Sequence, residues 1–261
     1  MCQSALADTD LPYQTDRVNT LQVSITAGTP AAVSELEMLG GANRALVIDP
    51  DGAVEVIAWA NASHAGGGSR TYTLDTLLRG LRGTESFTGG HVIGSLFLVV
   101  DEALDRRLVP LAELGEMRHY KAVGRGGLLS DAPRKQITPV GRDLMPRRPV
   151  QLRSNGAFWG SNITLSWLRQ TRVGGEEWFD FTSDVPLAED AEAYELEILD
   201  GPEGAVLRTV TGLTSESFVY TTTMQSADFA TAQSELTFRV YQVSAQVGRG
   251  FASADTTVAT S

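Results

Sequence analysis

The sequence is poor in the residues that build covalent and metal-based sites. Cys2 is the only cysteine, and His64, His91 and His119 are the only histidines among 261 residues. A single cysteine excludes an intramolecular disulfide and a cysteine-based zinc site. The histidines are 27 and 28 residues apart, so no pair has the spacing of metal ligands on one helix. We therefore predict no metal site and no cofactor.

Long hydrophobic runs are also missing. The longest, Leu96 to Val100, has the length of a strand, whereas a membrane-spanning helix needs roughly 20 apolar residues. The first ten residues, MCQSALADTD, have neither a basic region nor an apolar core, so we expect no secretory or lipoprotein signal. Without disulfides to form, folding in the cytoplasm is expected.

Positive charge is scarce in the second half of the chain. Residues 149–261 contain six arginines, no lysine and fifteen Asp or Glu, a net charge of −9, whereas residues 1–148 carry −2. Such an acidic half repels nucleic acid and anionic membrane surfaces. We predict neither a nucleic-acid partner nor a membrane span. Apolar residues make up 42% of the chain, which is enough for a packed core.

Sequence motifs of known catalytic sites are absent. There is no G-x-S-x-G, H-E-x-x-H or P-loop. The adjacent carboxylates 176–177 and 189–190 lie in turn-like segments, where neighbouring side chains point apart, whereas a glycosidase needs two carboxylates facing each other across a cleft. Asp49 to Asp51 lacks the spacing of an EF-hand. We predict that the chain is not an enzyme and has no catalytic residues.

Prolines divide the chain into two modules. Pro139, Pro146 and Pro149 bracket an extended stretch, because proline lacks a backbone donor and disfavours helix in the residue before it. We predict an irregular segment over residues 1–16, a β-rich module over 17–143, a Pro/Arg linker over 144–148 and a β-sandwich over 149–261.

The first module is predicted to consist mainly of strands. TLQVSITAG alternates apolar and polar residues, and RALVIDPDGAVEVIAWA predicts a hairpin whose turn is Asp49 to Gly52. HVIGSLFLVVD predicts a buried strand, Pro110 to Gly115 a single helical turn, and RHYKAVG a further strand.

The second module shows seven regular strand patterns in about 110 residues, which predicts an antiparallel β-sandwich and makes the whole fold all-β. Ile163, Leu165 and Trp167 share the inward phase of one strand. The alternation slips near Tyr241, where a bulge or an edge is expected. TMQSADFATAQ predicts one short helix capped by Ser226 or Thr223.

Two short stretches remain open to a functional interpretation. TYTLDTLLRGLRGTES contains Arg79-Gly80 and Arg82-Gly83, followed by Thr84 and Glu85, and this pattern fits either an anion-binding loop or a structural turn. GGEEWFDF holds Trp178, Phe179 and Phe181 among glycines and charges. Exposed aromatic residues suit a protein interface or sugar stacking, and we favour a receptor-facing interface.

Several of these stretches, in the same order, resemble one known family. TYTLDTLLRGLRGTES with GGHVIGSLFLVVD, and then RHYKAVG, are similar to a segment of the large tail-tip, host-specificity or baseplate-hub ("megatron"-like) proteins of siphophages and gene transfer agents. LMPRRPVQLRS, ITLSWLRQTRVGGEEW, DVPLAEDAEAYELEILDG and LTFRVYQVSAQVGRGFAS resemble the fibronectin-III-like module near the C-terminus of that family. The similarity extends from about residue 17 to 258.

The resemblance implies a structural and adhesive role. It places the protein in the virion at the distal tail tip, as a homotrimer that contacts other tail-tip proteins (hub, distal tail or fibre protein) and a host surface glycan or protein. The Arg-Gly residues Arg79, Gly80, Arg82 and Gly83, with Glu85, are then expected to form a tight structural turn, because glycine tolerates positive φ and guanidinium groups hold carbonyls or carboxylates. The alternative from another class is a carbohydrate-binding or adhesion decoration module.

The chain also departs from that family. Family members are many times longer, and their hub and TIM-barrel-like parts have no counterpart in this sequence. We expect either that a partner chain supplies those parts or that this is an accessory protein built from the same modules. Because residues 1–16 are polar, we also expect the first module to be completed by strands of a neighbouring chain.

Overall fold

The computed structural model describes residues 1–9, 12, 14–104, 107–173 and 185–260. The chain divides into two compact units, Met1–Asp143 and Leu144–Ser261. Every strand pair among the described residues is antiparallel, and the α-helices there are two short ones. The prediction of an all-β fold is confirmed.

Unit 1 is built on one six-stranded sheet. Its order is β1-β5-β4-β3-β6, and β2 lies beside β1 along the same edge of β5. A second sheet contains only β7 and β8. The elements are β1 (Thr15–Asp16), β2 (Leu21–Ser24), α1 (Glu35–Leu39), β3 (Arg44–Ile48), β4 (Val54–His64), β5 (Thr71–Leu81), β6 (Leu96–Val99), β7 (Arg118–Lys121) and β8 (Arg134–Ile137).

The hairpin of β3 and β4 forms where the turn residues predict it. Asp49 N–H donates to the carbonyl of Ala53, and Gly52 takes φ +93°, a conformation that glycine adopts without steric cost. Two short 3-10 turns, Glu85–Phe87 and Leu111–Glu113, follow β5 and β6. The second confirms the predicted helical turn after Pro110.

Both faces of the six-stranded sheet are covered in part. One carries the main core of unit 1, whose members are Cys2, Leu6, Leu21, Val23, Ala45, Val47, Ile57, Trp59, Leu74 and Leu77. A smaller cluster joins Met38 of α1 to Ala58, Ala60 and Leu78. Ser34 caps α1 in a capping box with Glu37, which satisfies otherwise unpaired N–H groups at the start of this short helix.

Strand β6 corrects one expectation. The apolar stretch HVIGSLFLVVD predicts a buried strand, but β6 lies at the edge of the sheet and alternates, with Leu96 and Leu98 exposed and Phe97 and Val99 half-buried. An edge strand pairs on one side only, so a continuous apolar run does not guarantee that both of its faces are covered.

The N-terminal residues contribute to the core of unit 1. The sequence predicts an irregular segment over residues 1–16. The described residues of that segment form the short strand β1 and two isolated bridges, Cys2 to Val23 and Leu6 to His91. The side chains of Cys2 and Leu6 are buried. These two positions in the core are therefore filled by this chain itself.

Unit 2 is a two-sheet sandwich. One sheet has the order β13-β10-β9, and the other has the order β12-β11-β14-β15, with β16 also paired to β14. The second sheet thus has five strands, but β15 and β16 pair with different parts of one edge of β14 and share one position in the sheet. Three strand positions in one sheet and four in the other are the arrangement of a fibronectin-III-like sandwich. Its elements are β9 (Val150–Ser154), β10 (Ile163–Leu168), β11 (Tyr194–Leu199), β12 (Val206–Leu213), β13 (Ser217–Tyr220), α2 (Thr222–Asp228), β14 (Glu235–Ser244), β15 (Gly248–Ala252) and β16 (Thr256–Ala259).

The inner faces of the two sheets form the core of unit 2. The inward phase predicted for Ile163, Leu165 and Trp167 is confirmed, since all three are buried. Trp167 packs edge-on against Tyr194, with ring centroids 5.4 Å apart. This geometry is the favoured one for aromatic pairs.

Two local predictions for unit 2 have different outcomes. The pairing of β14 with β15 shifts register between Tyr241 and Val243, which confirms the irregularity expected near Tyr241. The short helix α2 also forms, but its cap is Thr221, whose hydroxyl accepts from the N–H of Met224, and neither Thr223 nor Ser226. The helix begins at Thr222, so its cap directly follows Tyr220, the last residue of β13.

Candidate functional site

The two Arg-Gly pairs occupy different structures. Arg79 and Gly80 lie within β5, whereas Arg82 and Gly83 form the turn that follows it, and Glu85 begins a 3-10 turn. The turn predicted for both pairs therefore contains only the second pair. The reason is that β5 continues to Leu81, because Leu81 still pairs with Val56 of β4.

Arg79 is the centre of a buried charge network. Its side chain is fully buried, and its Nε and Nη2 atoms donate to the two carboxylate oxygens of Glu55 at 2.7 and 2.8 Å. Nη1 donates to the carbonyl of Ala7 at 3.0 Å, and Nη2 also donates to the carbonyl of Thr88 at 3.1 Å. A bidentate pair of this kind is among the strongest protein hydrogen-bonded contacts. Because its donors point at protein acceptors in the interior, Arg79 is not available to an external anion.

His91 extends the network to a second carboxylate. Its Nε2 lies 2.5 Å from Glu55 Oε2, and its Nδ1 lies 2.7 Å from Asp49 Oδ2. A neutral imidazole has only one N–H, so two carboxylate contacts require the doubly protonated imidazolium. With His91 charged, two cations face the carboxylates of Asp49 and Glu55, and the network is neutral. Asp49 also accepts from the hydroxyl of Ser95.

The electrostatic environment favours these charged forms. Burial acts to lower the pKa of His91, but the hydrogen bonds and charges of Glu55 and Asp49 outweigh it and raise that pKa above its ordinary value. Burial likewise acts to raise the pKa of Asp49, yet its hydrogen bonds with Ser95 and His91 lower it. Opposite shifts in partner groups are typical of an ion pair that stabilises the folded state.

Gly80 is required by the same geometry. Its φ is +68°, and a Cβ added there would lie 2.9 Å from Glu85 Cα, 3.0 Å from Pro12 Cβ and 3.1 Å from Thr88 Cγ2. Its N–H donates to Glu55 Oε1 at 2.8 Å. Glycine is therefore the residue that lets the backbone approach both the carboxylate and the following turn.

The second pair fixes the last residues of unit 1. Arg82 has φ +57° and pairs with Asp143 at 2.9 Å, with both side chains more than half exposed. Gly83 has φ +75°, and an added Cβ would collide with the backbone carbonyl of Arg142. Thr84 closes the turn by accepting from the N–H of Val56 and donating to the carbonyl of Leu81.

The network also holds the N-terminal segment. Ala7 receives a hydrogen bond from Arg79, Thr9 receives one from the hydroxyl of Thr88, and the backbones of Leu6 and His91 exchange two hydrogen bonds. Burial raises the pKa of the neighbouring Cys2 thiol to about 11, so that thiol stays protonated at neutral pH. Cys2 is accordingly a core residue and not a reactive nucleophile.

Sequence reasoning did not identify Glu55, His91 and Asp49 as partners of the motif. One signal was present: Glu55 shares the inward phase of β4 with Ile57 and Trp59. A carboxylate on the buried phase of one strand and an arginine on a neighbouring strand indicate a buried pair, because an isolated charge is too costly to bury. The partners of His91 lie 36 and 42 residues away, so their approach follows from the fold alone.

The predicted aromatic surface falls in a stretch that the structure does not describe. Trp178, Phe179 and Phe181 lie outside the described residues. Of the other tryptophans in the second half, Trp167 is buried, and Trp159 is half-buried, with its ring against Phe229 and Tyr220. Both belong to the core of unit 2.

Unit 2 has a charge network of its own across three strands. Glu197 on β11 accepts from Arg239 Nε on β14 at 2.7 Å, from Arg249 Nη1 on β15 at 2.9 Å and from the hydroxyl of Tyr241 at 3.2 Å. Burial acts to raise the pKa of Glu197, but the two arginines outweigh it and lower that pKa. These contacts join neighbouring strands.

The described residues contain neither a candidate metal-binding cluster nor a membrane-spanning helix. No group of three or more His, Cys, Asp or Glu side chains within the described ranges is arranged to hold a metal ion. None of the helices in that part of the chain is long and apolar enough to cross a membrane.

Residues 1–98 match a family model described as Rcc01698-like, C-terminal. The matched range contains the whole buried network of Asp49, Glu55, Arg79 and His91. No curated protein matches the chain.

Solved structures also show a likeness. The crystal structure of the FN5 domain of Drosophila Lar is similar over 44% of this chain and 96% of that domain, with 15% sequence identity and a TM-score of 0.27. The strand order given above, rather than this likeness, defines the two-sheet architecture of unit 2. The part of the chain covered by the family model lies wholly within unit 1.

Proposed function

We propose that the chain is a structural component of a siphophage-like tail tip or baseplate, and that it serves assembly and host recognition without being an enzyme. In this proposal unit 1 makes the assembly contacts with hub, distal tail or fibre proteins. Unit 2 is a spacer or a host-facing decoration. The protein is made in the bacterial cytoplasm and acts in the virion, as a homotrimer.

One observation carries the proposal: the segment that bears the family resemblance is architectural. Arg79 and Gly80 supply a buried ion pair and a close backbone approach, and Gly83 packs against Arg142. A ligand-binding loop would instead direct its guanidinium group outward. A motif used in this way fits a module that fixes the shape of a larger assembly.

The architecture of unit 2 supports the same function. It is a small sandwich with its own core and cross-strand ion pairs. Its net charge is strongly negative, which keeps such a surface hydrated and separate from anionic surfaces. A compact module of this kind suits a spacer or a decoration exposed at the end of a tail.

The test is cryo-electron microscopy of intact particles that contain the protein. The expected result is three copies at the distal tip, with unit 1 against the hub or its neighbours. A location along the tail tube or on the capsid would refute the tail-tip role. Particles without the chain that keep a complete tip and normal attachment would refute its part in assembly and host recognition.

A further inference from the structure

Strands β7 and β8 and the loop between them form a two-stranded ribbon, here called the basic ribbon (residues 117–137). It is a sheet of its own, without a third strand among the described residues. Its base is closed by a hydrogen bond from the N–H of Gly115 to the carbonyl of Pro139, 2.8 Å long. A two-stranded ribbon is marginally stable in water unless a further strand or a packed face supports it.

The charge of the basic ribbon is opposite to that of the chain. It contains five Arg or Lys and one Asp, a net charge of +4, whereas the whole chain carries −11 and the remainder therefore −15. Lys121 and Arg134 stand directly opposite each other across the two strands, and both are exposed. Like charges in this position destabilise a strand pair.

No carboxylate relieves this repulsion within the described residues. The same face carries His119 and Gln136, which are also exposed and directly opposite each other. The ammonium of Lys121 donates to the carbonyl of Leu129 at 2.8 Å. The described part of the chain gives the side chains of Arg134 and Lys135 no hydrogen-bond or ion-pair partner. Arg118 on β7 does pair with Glu113, which precedes the ribbon. The two strands themselves contain no Asp or Glu, and the cations of their exposed face have no carboxylate partner among the described residues.

Exposed apolar side chains accompany the charges. Leu128 and Leu129 are 66% and 64% exposed, Met117 is 59% exposed and Ile137 is 53% exposed. Single exposed apolar residues are ordinary, but a group within one short ribbon marks a surface for contact. Within the described ranges, neither long edge of the ribbon pairs with a third strand.

These observations favour one kind of occupant. A peptide in the extended conformation supplies backbone N–H and C=O groups to a strand edge, places carboxylates near Lys121 and Arg134, and offers apolar side chains to the leucines. Nucleic acid and lipid head groups supply the negative charge, but they have no backbone N–H and C=O groups to pair with a strand edge. A second copy of the ribbon would oppose cation to cation.

We propose that the basic ribbon docks an extended acidic segment of a neighbouring protein, with Asp or Glu alternating with apolar residues, as an added β-strand. The partner neutralises Lys121 and Arg134 and completes a sheet of at least three strands. This inference concerns binding by the chain alone and stands whether or not the chain belongs to a tail tip.

The test uses the full chain and a fluorescent peptide of about eight residues with alternating Glu and Val, the length of an ordinary strand. Fluorescence anisotropy measures binding by the unchanged protein, by Lys121→Glu/Arg134→Glu, and by Arg153→Glu as the control. Arg153 is an exposed arginine in unit 2 whose guanidinium group donates to the side-chain oxygen of Gln151. A second peptide with the same sequence is N-methylated at alternate amides, which blocks strand pairing and keeps the charge.

The expected result is saturable binding that the double reversal weakens at least about tenfold, as buried or central charge pairs do. The Arg153→Glu control keeps its affinity, and N-methylation weakens binding as strongly as the reversal does. Circular dichroism of the double variant should match that of the unchanged chain, since the four side chains of that ribbon face are exposed. Hydrogen exchange of the peptide measures strand pairing directly, and we expect its amide hydrogens to exchange more slowly when the protein is added.

Three outcomes would overturn the proposal. The first is no binding of the alternating peptide, or binding that a correctly folded double variant retains. The second is equal binding of the N-methylated peptide, which would reduce the contact to charge attraction. The third is tighter binding of single-stranded DNA or of phosphatidylglycerol vesicles that the double reversal abolishes, which would make the ribbon a general polyanion site.

Discussion

Replacing Arg79 by methionine tests whether the Arg-Gly motif is architecture. The substitution keeps an unbranched side chain of similar length, but it removes the bidentate pair with Glu55 and the hydrogen bonds to Ala7 and Thr88. The Glu55 carboxylate then stays buried with the N–H of Gly80 and His91 as its partners. Breaking a buried ion pair from one side costs about 3–5 kcal/mol.

The second arginine of the motif is the matched control. Arg82 lies close to Arg79 in the sequence and also pairs with a carboxylate, that of Asp143. In this pair, however, both side chains are more than half exposed. A surface pair of this kind contributes about 0–1 kcal/mol. Arg82→Met leaves the buried network intact, so the difference between the two variants measures the effect of burial and hydrogen bonding.

Hydrogen exchange followed by mass spectrometry separates the two units in one molecule. A loss of about 3 kcal/mol speeds exchange of the protected amides by about two orders of magnitude. We expect this for peptides that contain β5 and residues 1–9 in Arg79→Met, with unit 2 unchanged and Arg82→Met close to the unchanged protein. Equal exchange of residues 1–9 in Arg79→Met and in the unchanged protein would refute the view that the network anchors the N-terminal segment.

Three further outcomes are expected. Gly83→Ala should lower the free energy of unfolding by about 2 kcal/mol or more, because φ is +75° and the new Cβ meets the backbone of Arg142. Gly52→Ala is the control: its φ is also positive, but no atom lies near the new Cβ, so it should cost about 1 kcal/mol in urea denaturation. The folded-state pKa of His91 lies above its ordinary value of about 6.5, so the stability that His91 contributes is complete below pH 6.5 and is lost as pH rises through the raised pKa. Hydrogen exchange of unit 1 should show this loss of stability with rising pH, and His91→Gln should abolish that pH dependence. Trp167→Ala should destabilise unit 2 by about 3–5 kcal/mol in thermal unfolding, since that ring is buried, and a change below about 1 kcal/mol would contradict its place in the core.

Local sequence patterns predict the regular parts of the fold. The alternation of Leu21 and Val23, and of Ile163, Leu165 and Trp167, marks strands whose inward residues the structure buries. The patterns do not reveal which strand is at an edge, since edge position depends on the order of strands in the sheet. For that reason β6, with its apolar sequence, is half-exposed.

The buried network shows a different limit. Its four charged side chains are spread from residue 49 to residue 91, and three of them, Asp49, Arg79 and His91, look like turn or surface residues in their local context. Glu55 alone gave a signal, by occupying an apolar phase of β4. The identity of its partner follows from the register of β4 with β5, which places Val56 opposite Leu81, and register is a property of the folded sheet.

Cations that already pair with a carboxylate of the same chain attract an acidic partner less than cations that do not. Arg79 in unit 1 and Arg239 and Arg249 in unit 2 already have carboxylate partners from neighbouring strands, so a partner gains little charge attraction from them. Arg134 and Lys135 have none among the described residues and lie on a strand pair without a third strand. A surface whose charges are unpaired in the free chain gains the most when a carboxylate arrives, because no existing pair must first be broken. Attraction of an acidic partner should therefore concentrate on the basic ribbon, and not on the Arg-Gly motif elsewhere in the same unit.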